Sequence, residues 1–439
     1  MAATPDLARL RRALEGLNTI KGYGRVVRVT GLAIEATGLA CEVGEVCTVA
    51  TYGGGGRLLT EVVGFRNGST LLMPLGEMRG IRPGSVVVAR GTPFTVRVGE
   101  GLLGRVLDGL GRPIDGLGPP GCLERYFMSG EPIQPLSRAP IREPLETGVR
   151  AIDGLLTCGQ GQRIGIFAGS GVGKSTLLGM IARNAKADVN VIALIGERGR
   201  EVQEFIDRDL GPEGLARSVV VVSTSDQPAL VRIRGAWVAT AIAEYFRDQG
   251  KNVVFLMDSV TRVAMAQREV GLTVGEPPAS KGYTPSVFAL LPRLMERTGN
   301  SANGSITGFY TVLVESDDMT EPIADNSRSI LDGHVVLTRE LVMENHLPAI
   351  DVLQSASRVM GNVVGPEHLA CAGRMRETMA AYRRARDLLE IGAYVQGTNP
   401  QVDRAVAMLA EINGFLRQQP GEHACLAETI SWLVGAFGG

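Results

Sequence analysis

The residues best suited to chemistry lie in one short run, Ala168-Gly169-Ser170-Gly171-Val172-Gly173-Lys174-Ser175-Thr176. It sits between the apolar stretch Ile164 to Phe167 and a helical pattern from Thr176 to Ala185. Strand, glycine-rich turn and helix in that order describe a phosphate-binding P-loop. Gly169, Gly171 and Gly173 let backbone N–H groups close around phosphate oxygens at a helix N-terminus, with Ser170, Val172 and Thr176 completing the cradle. Lys174 is spaced to reach the β- and γ-phosphates, and the Ser175 hydroxyl to ligate Mg2+. Ala168 stands where the consensus carries glycine; the glycines nearest the phosphates are kept.

Three further positions bear on the same chemistry. Val253 to Met257 is an apolar strand ending in Asp258, the arrangement that delivers a carboxylate to the carboxyl edge of a parallel sheet, where it can hold the magnesium shell. Val191 to Gly196 is a second strand, and Glu197 follows it. A carboxylate there can orient and deprotonate an attacking water, or simply pair with Arg198 or Arg200. Arg358, after Pro348 to Ser357, is on physical grounds only a loop arginine.

These residues need a scaffold, and the pattern of the chain supplies one. Between Arg150 and about Leu341, β-runs alternate with helical segments, which argues for an α/β fold, a parallel sheet wrapped by helices. Ahead of it, Tyr23 to Val98 breaks into six short β-runs punctuated by Gly and Pro, the pattern of a small β-barrel. A Gly- and Pro-rich connector from Gly99 to Pro144 is expected to run over the surface. From His346 the chain reads as helical, with long segments over Leu369 to Ile391 and Pro400 to Arg417. Thr4 to Leu17 places Leu7, Leu10, Leu14 and Leu17 on one helical face. That helix either packs on its own domain or docks a partner. The expected domains are 1–20, 21–98, 99–345 and 346–439.

Composition removes several classes of function. Of the 439 residues, 45 Lys and Arg nearly balance 46 Asp and Glu, so no overall positive field holds the chain on nucleic acid. No window approaches the roughly 18 apolar residues of a membrane-spanning helix. The N-terminal stretch carries Arg9, Arg11 and Arg12 among its leucines, unlike a secretory signal. Six cysteines are scattered without CxxC spacing and read as reduced thiols, so a cytoplasmic location is expected.

Taken together, the P-loop, the Gly196-Glu197-Arg198 turn, the Asp258 strand and the Pro348 to Ser357 run resemble the rotary ATP synthase α and β subunits and their type III secretion relatives. Within that family, Asp258-Ser259-Val260-Thr261-Arg262-Val263-Ala264-Met265-Ala266-Gln267-Arg268-Glu269 and Gly275-Glu276-Pro277-Pro278 look most like the branch that exports flagellar proteins. Gly282 to Phe288 and Ile323-Ala324-Asp325 point the same way. The resemblance runs from about Gly24 to Phe415 and implies a RecA-like P-loop core that hydrolyses ATP with Mg2+. It assigns Lys174 to the phosphates, Ser175 and Asp258 to the metal, and Glu197 to catalysis. Arg198 and Arg262 are assigned to the γ-phosphate, and Arg358 to the neighbouring subunit's site within a homohexamer. Leu347, eleven positions before Arg358, stands where relatives commonly carry an aromatic residue, which leaves Phe415 to line the base pocket.

The resemblance also implies partners: an export regulator at the N-terminal helix and a central stalk protein at the turn Gly392 to Pro400. Export-gate membrane proteins, export chaperones and their substrates complete the set. The location implied is the cytoplasmic face of the flagellar basal body, with peripheral membrane association and no nucleic acid. An injectisome ATPase shares all of this chemistry. A hexameric RNA translocase would need a basic groove and stacking aromatics on the barrel, and Tyr23, Tyr52, Phe65 and Phe94 lack basic interleaving. A ring subunit that only holds nucleotide would have no use for Glu197.

Overall fold

The computed structural model describes residues 22–53, 56–122, 124–128, 130, 133–314 and 318–438. The amphipathic helix expected over Thr4 to Leu17 lies outside them. The described chain separates into two compact units, one of residues up to Thr95 together with Val270–Glu276, the other of the remainder from Val96 onward.

In the first unit, β1 (Tyr23–Thr30), β2 (Ala33–Thr37), β3 (Glu45–Ala50), β4 (Arg57–Arg66), β5 (Ser69–Pro74) and β6 (Val86–Pro93) close into a barrel. Every neighbouring pair is antiparallel, and β6 returns to β1, so no strand edge is left open. Val26, Ile34, Val49, Val62, Leu72 and Val87 fill its interior.

The connector is more ordered than its composition suggests. β7 (Thr95–Val98) pairs with β9 (Glu124–Phe127), and β8 (Arg105–Asp108) joins the large sheet beside β14. A four-residue strand with charged ends gives no periodic signal. It is fixed instead by Arg105, whose guanidinium donates to the Asp115 carboxylate at 2.7 and 2.8 Å.

After the connector, the second unit continues with β10 (Pro144–Leu145), α1 (Arg150–Leu155) and β11 (Cys158–Gly159). The expected alternation follows: β12 (Arg163–Ala168), α2 (Lys174–Asn184), β13 (Val189–Ile195), α3 (Gly199–Glu204), α4 (Gly211–Ala216) and β14 (Ser218–Ser223). Next come α5 (Ala229–Asp248), β15 (Asn252–Asp258), α6 (Val260–Val274), α7 (Pro285–Met295), β16 (Gly299–Asn300) and β17 (Ser305–Leu313). After α8 (Pro322–Ile330) come β18 (Gly333–Leu337), α9 (Arg339–Met343) and β19 (Ala356–Ser357).

The sheet runs β19-β18-β12-β17-β15-β13-β14-β8, with β16 on β17. It is parallel from β18 to β8, and only β16 and β19 pair antiparallel. Near-continuous apolar strands such as Val189–Ile195, buried at every residue, are what a sheet covered on both faces requires.

Three helices of this unit also belong to the region expected as a separate helical domain: α11 (Pro366–Glu390), α12 (Pro400–Leu416) and α13 (Leu426–Phe437), after the short α10 (Met360–Val363). They share one apolar core with the sheet: Ile166 and Ile181 lie in the same buried cluster as Ile152, Met375, Leu433 and Phe437. In packing, the helical segment is therefore part of the sheet unit.

Candidate nucleotide site

Because β12, β17, β15 and β13 are adjacent and parallel, their carboxyl ends share one edge of the sheet. Ligands of open α/β sheets bind outside that edge. β12 leaves it at Ala168 and enters the glycine loop. Gly171 and Gly173 hold φ of +78° and +89°, and a Cβ on either would meet nothing within 4 Å. Glycine is required there by backbone conformation, with open space above the loop. α2 then starts at Lys174 without a side-chain cap. Its first-turn N–H groups, around Ser175 and Thr176, have no acceptor within the helix and face an anion well.

Lys174 reaches across the edge. Its Nζ lies 2.6 Å from Asp258 Oδ1 at the end of β15 and 3.4 Å from Glu197 Oε1 beyond the end of β13. All three side chains are nearly enclosed, at 12%, 4% and 13% exposed. Asp258 Oδ1 also accepts a 2.8 Å hydrogen bond from the Thr311 hydroxyl on β17. Burial alone would lower the Lys174 ammonium, but the two carboxylates outweigh it and raise it, so Lys174 stays charged. Burial first, and the Asp258 charge second, push the Glu197 carboxyl up to about 7, against the pull of Lys174. Glu201 is lowered, chiefly by its hydrogen bond with Glu197.

The turn that places Glu197 depends on Gly196. Its φ is +74°, and a Cβ there would come within 2.7 Å of Arg262 Cβ. That close approach seats Arg262, on α6, against the Glu197 turn. Among the described residues, Arg262 Nε is buried without a hydrogen-bond partner, a donor left open beside the Glu197 turn.

Other expected site residues lie elsewhere. Arg198 is 75% exposed and pairs outward with Glu201 at 3.1 Å, touching the Lys174 cluster only through the Glu201 bond to Glu197. Phe415, expected to line the base pocket, is packed within the chain. Its ring is 4% exposed and stacks on Trp432 at 4.2 Å, and a Cβ on Gly154 would come within 2.9 Å of its Cζ. The packing of α1 against α12 and α13 uses the ring. Leu347 is 43% exposed, and its carbonyl accepts from Gln418 N at 2.9 Å, leaving it the open apolar side chain of that neighbourhood.

Arg358 is at the other end of the sheet. Its N–H donates to Asp332 O, and Asp332 N donates to the carbonyl of Arg163, the first residue of β12. The five-residue advance from Arg163 to the P-loop end of β12 separates them by about 17 Å. Arg358 is exposed and its guanidinium donates to Arg328 O at 3.3 Å.

Thr311 is the residue that sequence reasoning missed at the site. The available signal was a hydroxyl on a strand buried along nearly its whole length, where a polar atom must find a partner.

A P-loop, a strand-end carboxylate on its lysine and a second carboxylate one strand further define a nucleoside-triphosphate-binding protein with a RecA-like sheet. Family models agree along the chain. Residues 26–91 match the β-barrel domain of the ATP synthase alpha/beta family, residues 148–357 its nucleotide-binding domain, and residues 364–434 the T3SS EscN ATPase C-terminal domain. A flagellum-specific ATP synthase of Bacillus subtilis is 55% identical over 97% of this chain and 97% of that protein. A type 3 secretion system ATPase of Xanthomonas euvesicatoria is 49% identical over 99% and 98%. Among solved structures, the assembled ATPase EscN in complex with its central stalk EscO, from enteropathogenic E. coli, superposes with a TM-score of 0.87. It is 47% identical over 94% of this chain and all of that one. The chain belongs to the ATP synthase alpha/beta family, in the branch of flagellar and type III secretion ATPases.

Proposed function

We propose that this chain is the ATP hydrolase of a flagellar type III protein export apparatus, acting as a homohexameric ring at the cytoplasmic face of the basal body. The observation that carries the chemistry is Lys174 held between Asp258 and Glu197 at the mouth of the P-loop. Phosphate arriving in the loop takes over the Lys174 ammonium, which frees Asp258 for the metal and Glu197 for water. Ser175 and Asp258 offer only oxygen donors, which suits a hard cation such as Mg2+. Bound there with ATP, Mg2+ would neutralise charge developing on the phosphates. Glu197, near neutrality in its proton affinity, orients the attacking water and takes its proton. Arg262, half-buried against the Glu197 turn, offers its guanidinium beside it. Arg358 completes a neighbour's site, since it cannot reach its own.

A central stalk protein in the ring, as in the EscN complex, is the partner expected at Gly392 to Pro400. Among the described residues no helix is long and apolar enough to cross a membrane, so any association with the export gate is peripheral. The test is filament assembly and swimming in a deletion strain carrying the wild-type chain or Glu197→Gln. Rescue by the wild type alone supports an exporter that needs hydrolysis. Normal swimming of the deletion strain would refute the flagellar assignment in favour of virulence secretion, which the 49% identity to a type 3 secretion system ATPase keeps close.

A further inference from the structure

We infer that Gln162 is a positioning residue for Arg358, and that it fixes this arginine from the same strand that carries the P-loop. The inference rests on the reading above that Arg358 acts in a neighbouring subunit's site.

Gln162 is fully buried and immediately precedes β12. Its backbone N donates to Gly159 O at 3.0 Å, and its backbone O accepts from Gly308 N at 2.9 Å. Its side-chain Oε1 accepts from Gly159 N at 2.9 Å, which assigns the amide orientation. Nε2 therefore faces the far side, where it donates to Asp332 O at 3.1 Å and to Ser357 Oγ at 3.2 Å. Both acceptors belong to the frame of Arg358. Asp332 O is also the acceptor of Arg358 N, at 3.0 Å, and Ser357 is its chain neighbour, whose hydroxyl donates to Thr157 O at 2.9 Å. The approach is close: a Cβ on Gly333 would sit 2.7 Å from Ala356 O and 3.0 Å from Gln162 Nε2.

The opposite face of Asp332 is held by the next residue of the same strand. Arg163 donates from its backbone N, Nε and Nη2 to the Asp332 carboxylate at 3.0 to 3.1 Å. Gln162 and Arg163 thus hold the turn before β18 and the end of β19 in one frame. β19 is only two residues long, and Arg358 is exposed beyond it. Without the amide donor, the Asp332 carbonyl and the Ser357 hydroxyl would lose the link that joins them directly, leaving Arg358 N on Asp332 O and Ser357 Oγ on Thr157 O as separate contacts beside the edge pairing of that short strand. A guanidinium placed this way must reach a phosphate on another subunit, and a displacement of about 1 Å at such a group can reduce turnover about 10²-fold.

The experiment measures steady-state ATP hydrolysis by assembled rings of the full chain for Gln162→Met, Arg358→Ala and the double variant, together with binding of a non-hydrolysable ATP analogue and the hexamer fraction. Gln162→Met is expected to lower kcat 10- to 100-fold with KM, analogue affinity and hexamer fraction unchanged. The double variant should be no slower than Arg358→Ala alone, because the two substitutions remove the same function. Multiplying losses, or loss of analogue binding in Gln162→Met, would assign Gln162 to general stability and overturn the inference. Full hydrolysis by Arg358→Ala would instead overturn the shared-site reading, and this inference with it. If Gln162→Met fails to fold, Ser357→Ala, which removes one acceptor at a half-buried position, is expected to show the same kcat-only loss. An unchanged kcat in that variant overturns the inference equally.

Discussion

Acidification provides the sharpest test of Glu197. Its carboxyl is raised from 4.5 to about 7, first by burial and second by the Asp258 carboxylate. A base must be ionised to accept the proton of the attacking water, and kcat/KM reports the free enzyme. Above pH 7 the profile should be flat. Below it, kcat/KM should fall tenfold per pH unit, to about one tenth of the plateau at pH 6 and about one hundredth at pH 5. Phosphate release measured from pH 5 to 9 under saturating magnesium, which keeps the titration of ATP itself out of this window, gives the profile. A second readout has the opposite sign. The folded, nucleotide-free chain binds a proton at Glu197 between pH 4.5 and 7 that the unfolded chain has released, so stability falls as pH rises through that window. Glu197→Gln should lose this part of the pH dependence of Tm, retain ATP binding and lose turnover. An acid limb near pH 4.5, or an unshifted limb in the residual activity of Glu197→Gln, would refute the assignment of Glu197 as base.

Three further outcomes follow from particular contacts. Arg358→Ala should bind nucleotide normally as a monomer yet lose about 10³- to 10⁵-fold in turnover, and mixing it with Glu197→Gln should restore hydrolysis at interfaces that pair two intact halves. No recovery in mixed rings, checked by phosphate release, would count against a shared site. Thr311→Val removes the hydroxyl that supports Asp258, and should raise the magnesium concentration for half-maximal rate about tenfold with little change in the fold. Glu244→Ala strands Arg297, which is 1% exposed and donates to Glu244 Oε1 at 2.7 Å. Denaturant unfolding should show a loss of about 3 to 5 kcal/mol, against less than about 1 kcal/mol for Glu390→Ala, which breaks an exposed pair with Arg386.

What the sequence disclosed about this molecule follows the range of the forces involved. The P-loop was legible because its demands are local: glycines at positive φ between a buried strand and a helix. Asp258 and Glu197 were legible as carboxylates at strand ends, for the same reason. The six barrel strands showed themselves as short β-runs punctuated by Gly and Pro, whereas β8 did not, since its place depends on Arg105 meeting Asp115 and on β14. Phe415 shows the limit in the other direction. An aromatic near a base pocket and an aromatic in a core have the same local pattern, and the packing of Phe415 on Trp432 and Gly154 has no trace in it. Buried polar residues such as Gln162, Asp153 and Thr311 carry a weaker trace, a hydrogen-bonding group where burial demands a partner, without saying which. Asp153 satisfies that demand with Thr147 N, Thr147 Oγ1 and Gly148 N, which fixes the entry to α1.

The most consequential arrangement is the placing of the P-loop and Arg358 at opposite ends of one strand. The P-loop leaves the carboxyl end of β12, and Arg358 is tied to the other end through Asp332 and Gln162. A buried strand in the middle of a nine-stranded sheet neither folds back nor slides, so the two halves cannot meet within one chain. On the shared-site reading, each subunit presents one surface that needs an arginine and another that supplies one, which is a heterologous, head-to-tail interface. Any open assembly of such subunits leaves one P-loop without its arginine and one arginine without a site. Only a closed ring uses every half. On the shared-site reading, hydrolysis per chain therefore rises with closure itself, and a factor that seals the last interface activates the ring without touching nucleotide.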